Sequence, residues 1–202
     1  MKFKRLIAFF LDMILVYIFA NLLFMVCFND SYVKNLKSSE EYLSTINSIL
    51  EANKKEKDKQ VILDKTKEIN YNFLKSGTTL TIITLTIEIM YFVFAQYFNK
   101  GQTLGKKLMK IRIKQQDEEK LNAGLFVLRE SVLFVLPIQI IDVICLISTK
   151  MNTYFIINNV TTNIQNLITI AIIAFILFRS DGRGLHEMLS HTEVVLEEKR
   201  EK

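Results

Sequence analysis

A chain of 202 residues that is 50% hydrophobic and still 23% charged, with a mean hydropathy of +0.23, has to gather its charges away from its apolar runs. One Pro and six Gly exclude a collagen-like or disordered chain, and Cys27 and Cys145, both inside apolar runs, read as small apolar residues and not as a disulfide framework. The net charge of +5 comes without an aromatic-interleaved basic motif, so it points to anionic lipid and excludes a nucleic-acid footprint.

The first apolar run, Leu6 to Phe28, holds 23 residues. At about 1.5 Å per residue it spans about 34 Å, enough for a hydrocarbon core of about 30 Å. It exceeds the apolar region of a signal peptide and has no small-residue cleavage site, so it is expected to remain as a helix. Asp12 interrupts it. A carboxylate there costs about 2.5–3.5 kcal/mol and needs a partner. Arg5 lies seven residues back, within about 20° of the same helical face, so Arg5 and Asp12 are expected to pair.

Residues 29–77 read as a helical hairpin. Ser38 with Glu41 resembles a capping box, and Tyr42, Ile46, Ile49 and Leu50 follow at helical spacing. The charged run Lys54 to Lys59 separates them from a second face with Ile62, Ile69 and Phe73. The hairpin is either a binding or gating cap or a solvated spacer, and Gly77 marks a hinge.

The second span, Thr78 to Phe98, aligns Thr81, Thr84, Glu88 and Tyr91 on one face. Glu88 falls near the midplane, where an acid is either functional or a buried carboxyl that stays protonated. The basic connection, residues 99–124, contains GQTLGKKLMKIRIK with Gly101, Gly105, Lys106 and Lys107. Its Met109, Ile111 and Ile113 alternate with Lys110, Arg112 and Lys114, the period of a half-buried strand.

The third span, Leu125 to Ile147, carries Gln139 and Asp142 toward its outer end. The fourth, residues 157–178, opens with Asn158, Asn159, Thr161, Thr162, Asn163, Gln165 and Asn166, which are expected against other helices or a wet cavity. In the tail, residues 179–202, Thr192 to Leu196 is strand-prone and suited to pair with the strand of the connection.

Dense basic clusters occupy the N-terminus, the second connection and the tail, whereas the nine lysines between Lys34 and Lys75 are offset by eight acids. Both termini are therefore expected in the cytoplasm, with 29–77 outside. The expected fold is an all-α integral membrane protein with four transmembrane helices, an extracytoplasmic helical hairpin between the first two, and short cytoplasmic strand-like segments.

Enzyme readings fail on spacing. Gly101 to Lys106 has three residues between its glycines where a P-loop needs four, and Lys107 stands where that motif needs Ser or Thr. His186 and His191 are five apart, about 140° round a helix, so they do not share a metal as an HExxH pair does. No Ser or Cys nucleophile has a plausible base. Neither enzyme activity, metal nor cofactor is expected.

Three segments together, Arg5 with Asp12, GQTLGKKLMKIRI, and RGLHEMLSHTEVV, resemble the RDD family of multi-pass bacterial membrane proteins. The tail departs from the family's LHD-x-x-x-G-T pattern at Glu187 and His191, while His186 and Thr192 keep it. The resemblance leaves Glu187 or Asp142 as the counterpart of the second aspartate. It implies a protein of the bacterial plasma membrane, with cation–proton exchange suggested for some relatives. Two functions are expected as alternatives. One is proton-coupled transport of a small cation or solute through a site of Arg5, Asp12, Glu88 and Asp142, working as a homo-oligomer or with a partner membrane protein. The other is a non-catalytic scaffold or accessory subunit that docks through its outer hairpin.

Overall fold

The structure is a computed structural model that describes residues 2–52, 59–116 and 121–197. It is mostly helical. The first helix, α1 (Lys2–Cys27), buries one residue per turn at four-residue spacing: Ala8, Asp12, Val16, Ala20 and Phe24. Its other faces carry Phe3, Phe10, Ile14, Ile18 and Leu22, all more than half exposed. So much uncovered apolar surface belongs in lipid.

Among the described residues three helices are long and apolar enough to cross a membrane: α1, Thr78–Phe98 and Met151–Phe178. The second comprises α4 (Thr78–Ile89), a π-helical turn (Met90–Ala95) and α5 (Gln96–Phe98). The third is α9 (Met151–Phe178), which begins six residues before the expected start at 157.

The expected third span, 125–147, is not one straight helix. It is α7 (Ala123–Leu133) followed by α8 (Leu136–Ser148), bent by 67°, and it makes a fourth crossing if the pair is counted as one. Pro137 is the cause. It has no N–H to give, and its ring clashes with the carbonyl four residues back. Val135 turns into the left-handed region at φ 53° to release the chain, and Gln139 Nε2 donates to the freed Phe134 carbonyl at 2.7 Å.

At one end of the spans α2 (Asn29–Ala52) and α3 (Lys59–Ser76) form the hairpin, joined face to face by Tyr42 stacked on Phe73 at 5.2 Å. Ser38 and Glu41 do not cap a helix, because α2 begins nine residues earlier and runs through them. Residues 54–58 of the expected charged turn lie outside the described residues. Gly77 is the single residue between α3 and α4. Tyr71 of α3 donates to the Thr149 carbonyl after α8 at 2.9 Å.

At the opposite end β1 (Ile111–Gln115) and β2 (Thr192–Leu196) pair antiparallel, with Ile113 opposite Val194. Their inward residues Ile111, Ile113 and Val194 pack with Ala8, Val93 and Phe126, so the ribbon closes the end of the helix bundle. The turn that follows α5 (Gln96–Phe98) and opens the basic connection requires Gly101. It sits at φ 88°, and a Cβ there would strike the Ile113 carbonyl.

Candidate functional site

The strand end of the bundle is where the charged residues meet. Short helix α6 (Leu104–Leu108) of the basic connection lies across α1, with Thr103 as its N-cap. Asp12 faces that N-terminus, where backbone N–H groups and the helix dipole favour an anion. Its Oδ1 accepts from Gly105 N at 2.7 Å and from the Tyr91 hydroxyl at 2.6 Å, and its Oδ2 accepts from the Thr103 hydroxyl at 2.5 Å. Tyr91 in turn accepts from Leu104 N at 3.0 Å. A Cβ at Gly105 would strike the Ala8 carbonyl and come within 2.9 Å of Asp12 Oδ1, so glycine is what lets α6 lie this close to α1.

The expected Arg5–Asp12 pair does not form. Seven residues is about 10 Å along a helix, and side chains lean toward the helix N-terminus, which carries Arg5 away from the acid. Arg5 instead donates from Nη1 to Glu187 Oε2 at 3.1 Å and to the Gly182 carbonyl at 2.9 Å, and from Nη2 to the Val194 carbonyl at 3.1 Å. It ties α1 to the tail.

Glu187 stands in α10 (Leu185–Leu189), where its Oε2 also accepts from Gly184 N at 2.9 Å. Its Oε1 is 3.4 Å from Arg129 Nη2. Arg129 reaches the Thr192 hydroxyl at 2.8 Å and lies 3.5 Å from Glu130 Oε1. Gln96, wholly buried, donates to Glu130 Oε1 at 3.2 Å and accepts from Lys106 Nζ.

Three cations, Arg5, Lys106 and Arg129, thus meet three acids, Asp12, Glu130 and Glu187, in a buried or half-buried network. Such a network is tolerable because its charges cancel. Burial lowers the Lys106 amine to about 8, with the Glu130 charge opposing the shift. Burial, helped by the charges of Arg129, Lys106 and Arg5, holds His186 well below its usual range, so its imidazole is neutral. His186 Nδ1 has no hydrogen-bond partner among the described residues. Lys107, beside Lys106 in sequence, is exposed and takes no part.

The other two sequence candidates stand apart. Glu88 is 5% exposed, and its Oε2 has no partner among the described residues. Of the face expected with it, Tyr91 turns to Asp12, Thr84 returns to the Leu80 carbonyl at 2.9 Å, and Thr81 is exposed. Asp142 of α8 accepts from Thr161 of α9 at 2.6 Å and links those two helices. Among the described residues no group of three or more His, Cys, Asp or Glu is placed to hold a metal.

Sequence reasoning missed Gln96, Thr103, Arg129 and Glu130. The rule that singled out Glu88, an acid inside an apolar run, applies equally to Glu130 and would have found it.

The family model for the RDD family matches residues 2–191, which takes in all six charged residues of this network and leaves out Thr192 and Val194. No curated protein and no solved structure matches the chain.

Proposed function

The chain belongs to the RDD family, and from that premise we propose a multi-pass protein of the bacterial plasma membrane that couples protonation of Glu88 to movement of a small cation or solute. The observation that carries this reading is Glu88 itself, buried ten residues from either end of Thr78–Phe98 with an oxygen, Oε2, that has no hydrogen-bond partner among the described residues. A buried carboxyl without a donor is stable when neutral and needs an incoming cation or donor when charged. The π-helical turn begins two residues later, and such turns are frequent at functional sites. On this reading both termini and the β1–β2 ribbon face the cytoplasm and its anionic lipids, the α2–α3 hairpin faces outward, and the protein carries out no enzymatic step.

A second reading, a non-catalytic scaffold or accessory subunit docking through α2–α3, is favoured by the fate of the other acids. Asp12, Glu130, Glu187 and Asp142 all hold elements together. Purified protein in proteoliposomes with an internal pH dye and a cation panel decides between them. Transport predicts pH-dependent flux in the wild type that Glu88→Gln abolishes. Flux retained in Glu88→Gln removes that residue from the mechanism, and no flux in the wild type gives the case to the scaffold.

A further inference from the structure

Helix α9 carries a seven-residue repeat whose polar positions its own chain leaves exposed, with Phe155 and Ile176 half-buried. Asn152, Asn159 and Asn166 are spaced by seven, and Phe155, Thr162 and Thr169 each follow three residues after one of them. Ile173 and Ile176 continue the two positions. This is the contact pattern of a left-handed pair of helices. The three asparagines, Thr162 and Thr169 are exposed.

Packing of α9 on the rest of the fold uses another face, with Tyr154, Thr161 and Ile172 buried and Thr161 bonded to Asp142. Thr161 is two residues from Asn159, about 160° round the helix, so the repeat faces outward. An open groove of about 890 Å³ runs beside it, between α9 and Lys67 of α3.

The 28 residues of α9 extend about 42 Å against a hydrocarbon core of about 30 Å. With the helix centred, Asn159, Thr162, Asn166 and Thr169 lie at acyl-chain depth. Carboxamides there require hydrogen-bond partners. Asn163 Nδ2 donates to Asn159 Oδ1 at 3.2 Å, which takes one lone pair of the Asn159 amide oxygen and leaves the second, with the amide nitrogen, to face outward.

We infer that α9 is the seam of a parallel homodimer in which each asparagine meets its own copy across a two-fold axis along the membrane normal. The occupant is a second copy because the seam complements itself. Copies inserted alike run parallel, so Asn159 stands opposite Asn159 and Asn166 opposite Asn166. Each carboxamide carries a donor and an acceptor, so opposite partial charges meet at every asparagine level. A partner of another sequence would have to reproduce the same polar spacing. The seam is independent of the transport reading.

The test is oxidative crosslinking in native membranes, in a full-length chain lacking Cys27 and Cys145. Thr162→Cys, on the seam, should give a species of twice the chain mass that carries both tags when two differently tagged copies are co-expressed. Ile164→Cys, exposed but off the seam, should not. Adding Asn159→Val and Asn166→Val to Thr162→Cys alters only an exposed face. It should lower the crosslinked fraction about tenfold, the scale of one or two interhelical hydrogen bonds. Equal crosslinking at 162 and 164, a product with a protein of other mass, or an unchanged yield in the valine variant each overturns the seam.

Discussion

Replacing Asp12 in two ways separates its hydrogen bonds from its charge. It accepts three bonds of 2.5–2.7 Å, from Tyr91, Thr103 and Gly105. Bonds to a charged group contribute about 1.5–3 kcal/mol and neutral ones about 0.5–1.5. In Asp12→Asn the amide oxygen keeps Tyr91 and Gly105 while the Thr103 hydroxyl turns to accept from the amide nitrogen. The loss is about 1 kcal/mol per bond, so about 3 in all. Asp12→Ala strands the buried Gly105 N–H and both hydroxyls at about 1–3 kcal/mol each, so about 5 in all. Arg5 is not Asp12's partner, so Arg5→Gln combined with Asp12→Asn should be additive. Arg5→Gln combined with Glu187→Gln should show a coupling of about 1–3 kcal/mol. Unfolding in detergent is read by a thiol-reactive dye at half-buried Cys145, with exposed Cys27 replaced by Ser. Wild-type stability in both Asp12 variants, or coupling of Arg5 to Asp12 and none to Glu187, would refute the arrangement.

Other expectations follow from single residues. His191 holds φ 49° in the turn before β2, a conformation that costs a side-chain-bearing residue about 1–2 kcal/mol, so His191→Gly should raise the unfolding midpoint, and a lowered one would contradict this. Lys106 titrates near 8 in the folded chain against an ordinary 10.5. Between those values the unfolded chain holds the proton that the folded chain has released, so stability should rise with pH from about 8 to about 10.5. That rise should be absent in Lys106→Met; a flat wild-type profile, or the same rise in both, defeats the assignment. For orientation, cysteines at exposed Glu40 and Lys107, in a chain without Cys27 and Cys145, should differ in intact cells: an impermeant reagent reaches position 40 only, and labelling of position 107 inverts the topology.

What was legible in the sequence was whatever depends on period. Apolar runs located α1, α4–α5 and α9; the two-residue alternation over 109–114 located β1, which runs from Ile111 to Gln115, and strand propensity located β2 at its observed bounds, Thr192–Leu196. Spacing along one helix reports a face but not a distance, which is why Arg5 and Asp12 share a face without touching. The bend at Val135 was signalled by Pro137, which had entered only as a composition count. The capping-box pattern at Ser38 was outweighed by an unbroken helix from Asn29. At 187 and 191, the positions where the tail departs from the pattern it resembles, the structure gives each residue a local role. Glu187 takes the Arg5 ion pair, and His191 occupies a left-handed turn that favours glycine.

The two functional readings divide the buried acids in a way that has a physical basis. Protonating Asp12 would give up its acceptance from Gly105 or Thr103 and loosen α6 from α1. Protonating Glu187 would leave Arg5 and Arg129 without their shared counter-charge, and protonating Glu130 would weaken its hold on Gln96 and Arg129. Asp12 and Glu187 are locked by the bonds they make through both oxygens, so a change of protonation there is a change of structure, whereas Glu130 is bonded through Oε1 and its Oε2 has no partner among the described residues. Glu88, which stands outside the network, likewise has no bond to lose at Oε2 among the described residues. Its charge can change while the ribbon, α6 and α10 stay in place. On the transport reading proposed above the proton is carried at Glu88, apart from the network, which serves as its fixed frame; on the scaffold reading the same frame holds α1, α7 and the tail together.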